Sequence, residues 1–206
     1  MPKVHIINSS DEYVHMFGKM GWEVVGIKDF FNADLIQFTG GADVTPMLYG
    51  ESLHPKTYCS QRRDLEEAGY FSFAQRCSIP MAGICRGGQF LNVMNGGKMY
   101  QHVDGHATGR SHILFDRFTT KPCNVTSTHH QMMIPHYSGE IIAIAHESKV
   151  KESYDTTFLS DGDDIEVVYY DKTKSLCFQP HPEFYNADST RDYYFELLER
   201  YLGLSA

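Results

Sequence analysis

Ile79-Pro-Met-Ala-Gly-Ile-Cys-Arg-Gly-Gly-Gln-Phe-Leu-Asn-Val-Met-Asn-Gly-Gly97 decides the reading of this chain. Ile79 to Ile84 is an apolar run short enough for a buried strand, and Arg86 to Met94 has the pattern of a helix. Cys85 stands at their junction, between small residues. A packed core thiol needs no glycines around it. A nucleophile on a tight strand-to-helix turn does, because backbone and substrate must both approach the sulfur. A cysteine in apolar surroundings is by itself ordinary packing material. Gln179-Pro-His-Pro-Glu183 changes that balance, since it supplies a histidine and a carboxylate two residues apart. Cys85, His181 and Glu183 together predict a catalytic triad. A free thiol of pKa about 8.5 needs a basic or cationic neighbour to be mostly thiolate near neutrality. The start of the following helix adds partial positive charge, and a carboxylate on the far imidazole nitrogen fixes its tautomer.

Upstream of the turn, Val4 to Asn8, Trp22 to Ile27 and Asp34 to Thr39 also read as strands, with a short helix after Ser9-Ser10-Asp11. The third strand ends at Gly40-Gly41, where the chain can turn sharply and expose backbone N–H groups. Ala42 to Gln61 contains Pro46, Gly50 and Pro55 and reads as an extended loop bordering the site. Arg63 to Gln75 has helical spacing, with Leu65, Ala68, Phe71 and Ala74 sharing the expected inward face. Strands alternating with helices predict a parallel α/β sheet whose site collects at the carboxyl ends of the strands.

The second half holds strand-like pieces near Ser111 to Phe115, Asn124 to Ser127, Gly139 to His146, Ile165 to Tyr170 and Ser175 to Gln179. Asp171-Lys-Thr-Lys174 reads as a hairpin connection, and Ser189 to Tyr201 as a closing helix with Tyr193, Leu197 and Leu198 inward. His102, His106 and His112, with Asp104, are metal-ligand residue types. Their setting, Gln101-His-Val-Asp-Gly-His-Ala-Thr-Gly109, is loop-like and reads as a polar loop, with no metal expected.

Composition narrows the class. At 206 residues the expectation is one domain, 1–206, with no internal linker or repeat. A formal charge of -8 without a basic cluster gives no footprint for nucleic acid. The five cysteines show no Cys-x-x-Cys spacing, no secretory signal pattern is evident, and no apolar run is long enough for a membrane span. A soluble, reduced, cytoplasmic protein is the expectation.

Six blocks then recur in the order of one family. They are Phe38-Thr-Gly-Gly-Ala-Asp-Val-Thr-Pro-Met-Leu-Tyr-Gly50, Arg63-Asp64 with Glu67, Gly83-Ile-Cys-Arg-Gly-Gly-Gln89, Leu91-Asn-Val-Met-Asn-Gly-Gly97, Ser127-Thr-His-His-Gln131 and Gln179-Pro-His-Pro-Glu183. The chain resembles class I glutamine amidotransferase-like proteins, and within them the peptidase C26 branch that includes gamma-glutamyl-gamma-aminobutyrate hydrolases. The resemblance implies a three-layer α/β sandwich around a mostly parallel, flavodoxin-like sheet. It makes Cys85 the nucleophile, His181 the base and later acid, and Glu183 the group that orients the imidazole. The backbone N–H groups of Gly41 and Arg86 become the oxyanion donors. Gln89, one helical turn from Cys85, would hold the glutamyl part of the substrate, with His130 and Gln131 beside it.

No metal or organic cofactor is implied. The substrate class is a small gamma-glutamyl amide or glutamine. A freestanding hydrolase is the leading reading, toward which the combination of Arg86 with Asp43-Val-Thr-Pro46 tilts. A glutaminase subunit delivering ammonia to a separate synthetase is the second. An idle binding or assembly protein is a third, against which the complete triad argues.

Overall fold

Apolar runs too short for helices line up side by side as strands. The computed structural model describes residues 1–154, 156–159 and 162–205. In chain order the elements are β1 (Lys3–Ile7), α1 (Asp11–Lys19), β2 (Glu23–Val24), β3 (Leu35–Phe38), α2 (Gln61–Cys77), β4 (Met81–Ile84), α3 (Arg86–Met94), β5 (Lys98–Tyr100), β6 (His102–Val103), β7 (His112–Asp116), β8 (Pro122–Val125), β9 (Met132–Ile134), β10 (Glu140–Ala145), β11 (Val150–Glu152), β12 (Thr157–Leu159), β13 (Asp164–Tyr170), β14 (Ser175–Phe178) and α4 (Asp188–Leu202). Short 3-10 turns span Ile27–Asn32, Pro46–Tyr49 and Asp171–Thr173.

The main sheet has nine strands in the order β2-β1-β3-β4-β14-β13-β10-β7-β8. It is parallel from β2 through β14 and antiparallel from β14 outward. This is the expected α/β fold, and its parallel half carries the Cys85 turn. Alternate residues of the central strands enter two separate cores, as the strand period of two demands. Leu35, Ala82, Ile84, Leu176 and Phe178 pack with Phe17, Tyr194 and Leu197 of α1 and α4 on one face. Ile36, Phe38, Met81 and Cys177 pack with Phe71, Ala74, Phe90 and Leu91 of α2 and α3 on the other. Helices therefore cover both faces, giving the three layers. Among the described residues no helix is long and apolar enough to cross a membrane.

Two local readings need correction. The strand expected over Trp22 to Ile27 shrinks to Glu23–Val24, because β2 is an edge strand that pairs only with β1 and the chain turns at Gly26 into the 3-10 segment. Trp22 is instead buried against Phe17 and Phe195. In α2 the helix is present and Phe71 and Ala74 are buried as expected, with Ala68 half-buried against the same core, but Leu65 does not share that face. Leu65 is 74% exposed, whereas the fully or nearly buried positions are Asp64, Glu67, Phe71 and Ala74. These four also follow helical spacing, and the two carboxylates turn inward because buried Arg86 and half-buried Arg63 meet them there.

Candidate active site

The parallel strands β3, β4 and β14 end next to one another, and each delivers part of the site just past its last residue. From β4 comes Cys85, the residue that caps α3, with φ 50° and ψ -113°. That backbone is costly for a residue bearing a Cβ, by about 1–3 kcal/mol, and persists only where the surroundings impose it. They do so here: the Cys85 N–H donates to the Phe178 carbonyl (2.7 Å) and its carbonyl accepts from Gln89 N–H (3.0 Å). The glycines around it serve the turn as much as the sulfur. A Cβ on Gly83 would collide with the backbone of Gly87, and one on Gly87 with the Phe38 carbonyl, so only glycine lets α3 press this closely on β3 and β4.

From β14 comes Gln179-Pro-His-Pro-Glu183. The His181 Nδ1 lies 2.7 Å from Glu183 Oε1, and its ring stacks on Phe184 with centroids 4.6 Å apart. Thr126 clamps the same residue, accepting from His181 N–H at 2.7 Å and donating its hydroxyl to the His181 carbonyl at 3.1 Å. Burial opposes a charge on the imidazole, but the Cys85 sulfur and the Glu183 carboxylate outweigh it and push the His181 pKa up to about 10. From β3 comes the Gly40-Gly41 turn. A Cβ at Gly40 would lie 3.3 Å from His181 Cε1 and 3.8 Å from Cys85 Cβ, so this glycine borders both groups.

A cavity of about 170 Å³ opens beside the sulfur, lined by Gly41, Cys85, Arg86, Gln89, His130 and Gln131 among others. Those are six of the eight residues singled out from sequence, while His181 and Glu183 lie outside its lining. It is below the roughly 300 Å³ at which pockets begin to suit drug-sized ligands, and suits an amino-acid-sized group. Gln89 is buried, with its amide donating weakly to the Gln131 carbonyl (3.4 Å) and Gln179 Oε1 (3.3 Å). Gln131 donates to Thr57 Oγ1 and the Gln101 carbonyl, both at 3.1 Å. His130 Nε2 faces Asp43 Oδ1 at 3.1 Å.

An ionic bracket under the turn holds this arrangement. Arg63 donates to the carbonyls of Gly40 (3.0 Å) and Thr39 (2.8 Å) and pairs with Glu67 (2.7 Å). Arg86 pairs with Asp64 and Glu67 and donates to the Ala42 carbonyl (3.1 Å). Burial, then the charge of Arg63, bring the Arg86 pKa down to about 10 against the pull of Asp64. Arg63-Asp64 is thus not a pair of its own, since each partner reaches a different group. Tyr13 of α1, which sequence reasoning missed, accepts the Gly40 N–H at 2.9 Å. Burial and then the Glu183 charge raise its pKa well above the ordinary value. Nothing in the local sequence marks that tyrosine.

Asp104 to Arg110 lies in neither helix nor strand, as the loop reading expected, but the segment's histidines are not all solvated. His106 is fully buried and His112 is 7% exposed, both beside Glu166 of β13, while His102 lies elsewhere, beside His130.

The family model of Peptidase C26 matches residues 30–183. The chain belongs to the peptidase C26 family. The glutamine amidotransferase-like protein YvdE of Lactococcus lactis subsp. lactis (strain IL1403) is 27% identical over 185 residues, covering 83% of this C26 chain and 78% of YvdE. The carbamoyl phosphate synthase small chain of Helicobacter pylori (strain J99 / ATCC 700824) is 30% identical over 118 residues, 57% of this chain but 28% of that protein. Among solved structures, a glutamine amidotransferase from Thermotoga maritima superposes with a TM-score of 0.62 at 15% identity, covering 97% of this chain and 84% of the other. That likeness shows the fold. Family and relatives together give an amide hydrolase of the glutamine amidotransferase type.

Proposed function

We propose that this C26 protein hydrolyses a gamma-glutamyl amide through a gamma-glutamyl thioester on Cys85. The strained Cys85 turn beside the bonded His181–Glu183 pair carries the reading. With His181 protonated and Cys85 a thiolate, the sulfur adds to the side-chain carbonyl. The backbone N–H groups of Gly41 and Arg86, both at the cavity, receive the developing oxyanion. The C–N bond breaks as His181 passes its proton to the leaving amine. Water, deprotonated by the now neutral His181, adds to the thioester, the C–S bond breaks, and glutamate leaves with the thiolate restored. Glu183 keeps the imidazole in the tautomer that serves both steps. Gln89, His130 and Gln131 position the glutamyl group.

Purified protein incubated with glutamine and a panel of gamma-glutamyl amines, its products followed by mass spectrometry against Cys85→Ala, tests the reading. Turnover of a gamma-glutamyl amine well above glutamine supports it; products unchanged in Cys85→Ala refute it. The likeness to carbamoyl phosphate synthase small chains favours a second reading, a glutaminase that hands ammonia to a synthetase. Glutamine turnover that rises on adding a copurifying synthetase would select that one.

A further inference from the structure

Behind the wall of the pocket, three imidazole nitrogens surround one carboxylate oxygen. Glu166 Oε1 lies 3.3 Å from His106 Nδ1, 3.5 Å from His112 Nε2 and 3.4 Å from His129 Nε2. His106, His129 and Glu166 are at most 2% exposed and His112 is 7% exposed. The far nitrogens of two rings are already committed to acceptors. His106 Nε2 faces Asp164 Oδ2 at 3.0 Å, and His129 Nδ1 faces the Gln131 carbonyl at 3.0 Å. Each must donate there, so in the neutral ring the nitrogen aimed at Glu166 is a bare lone pair.

Ser127 does not relieve this, because its hydroxyl donates to the His106 carbonyl at 2.5 Å. Both Glu166 oxygens, both His112 nitrogens and His129 Nε2 lack a hydrogen-bond partner among the described residues. Lone pairs and a carboxylate converging in a buried space repel unless a proton or a metal cation lies between them. Lys151 is spent on Asp164 Oδ1 at 2.9 Å, so with the three rings neutral the Glu166 charge has no counter-charge.

The spacing identifies the kind of cation. A tetrahedral ion with bonds of about 2.0–2.1 Å holds its ligand atoms about 3.3–3.4 Å apart. The three nitrogen-to-oxygen separations match that edge, and the ligand atoms of His106, His112 and Glu166 all fall within 4.8 Å of one another, with His129 outside that group and needing a small inward shift. Imidazole nitrogens with one carboxylate are a borderline donor set. The bonds from His106 to Asp164 and from His129 to a carbonyl are the outer supports that metal-bound histidines have.

We infer that His106, His112 and Glu166 supply three ligands of a buried structural site for a divalent transition-metal ion of the zinc class, and that His129, whose Nε2 also faces Glu166, closes in as the fourth. The ion ties the segment containing His129, His130 and Gln131, part of the pocket wall, to β7 and β13. This inference is independent of which amide is hydrolysed.

The test uses the full chain prepared without a polyhistidine tag, stripped with EDTA, reloaded with zinc and freed of excess. About one zinc per chain is expected, with a rise in Tm of roughly 5–10 °C over the stripped protein. Cobalt(II) in its place should give the visible ligand-field bands of a tetrahedral nitrogen and oxygen site. His112→Ala should lose both signals while keeping its far-UV circular dichroism, and Cys85→Ala should keep both. Wild-type protein that takes up no zinc above background, with no change in Tm, overturns the inference whether or not the variant folds. Zinc lost in Cys85→Ala but kept in His112→Ala overturns it too, by moving the ion to the thiol.

Discussion

Replacing Glu183 by Gln keeps the shape beside His181 and removes one charge. The amide oxygen can still accept from Nδ1–H, so the change strips the charge-assisted part of a 2.7 Å bond and leaves a neutral one. Hydrogen bonds to charged groups contribute about 1.5–3 kcal/mol and neutral ones about 1, so roughly 0.5–2 kcal/mol should be lost. If that interaction acts fully in the transition state, kcat/KM falls about 2–30-fold near pH 8. The same loss moves the imidazole: 1.36 kcal/mol corresponds to one pKa unit, so the His181 pKa should fall by about one.

The direction follows from the raised wild-type value of about 10. In the wild type the imidazolium persists through neutral pH, and the alkaline limb of kcat/KM should fall near pH 10. In Glu183→Gln it should fall near pH 9. Stability carries the same sign, because a raised folded-state pKa adds stability that is complete below the unfolded value of about 6.5 and is lost as pH rises through about 10. The variant should therefore show a smaller fall in Tm between pH 7 and 10. Rate against pH for a gamma-glutamyl anilide, with Tm over the same range, measures both. An unchanged alkaline limb, or a loss of rate under twofold, would refute the reasoning.

Gly41→Ala places a Cβ at φ 138° against the Arg63 guanidinium; displacement of that N–H should lower kcat by about 100-fold, near the lower bound for loss of an oxyanion donor, and equal kcat would contradict the assignment. Glu67→Ala leaves Arg86 and Arg63 short of a buried partner, for a cost of about 3–5 kcal/mol by urea unfolding. A loss below about 1 kcal/mol would mean water takes the carboxylate's place. Leu65→Gln, at a 74% exposed position, should change stability by no more than about 0.5 kcal/mol, whereas a core position would lose several times more.

What could be read from the chain was what depends on local pattern. The glycines about Cys85 and the apolar run before it place the strand, turn and helix within a residue or two, because close approach of α3 to β3 and β4 admits nothing larger. His181 and Glu183 were readable because Pro180 and Pro182 isolate them as a unit just past a strand. The first turns of the buried face of α2 were not, although Phe71 and Ala74 were. Asp64 and Glu67 are ordinarily surface residues, and only Arg86 and Arg63, brought from elsewhere in the chain or the same helix, make their burial favourable.

Tyr13 joins the site through a hydroxyl placed by the packing of α1 on the sheet, for which no sequence spacing exists. The same holds for His106. Gly, Asp and Thr around it suggest a solvated loop, while its partners Asp164 and Glu166 lie some sixty residues on, and a buried polar cluster depends on all of them meeting. Glu166 itself was read only as part of a strand.

A gamma-glutamyl group carried on one sulfur is the step that sets this mechanism apart. Rapid acid quench of the protein turning over a gamma-glutamyl amide, followed by intact-mass and peptide mass spectrometry, tests it most directly. A single glutamyl adduct is expected on the peptide containing Cys85, absent in Cys85→Ala and retained in Cys177→Ala, whose thiol is buried in the core. Release of amine by Cys85→Ala at the wild-type rate, or an adduct on another residue, would contradict it.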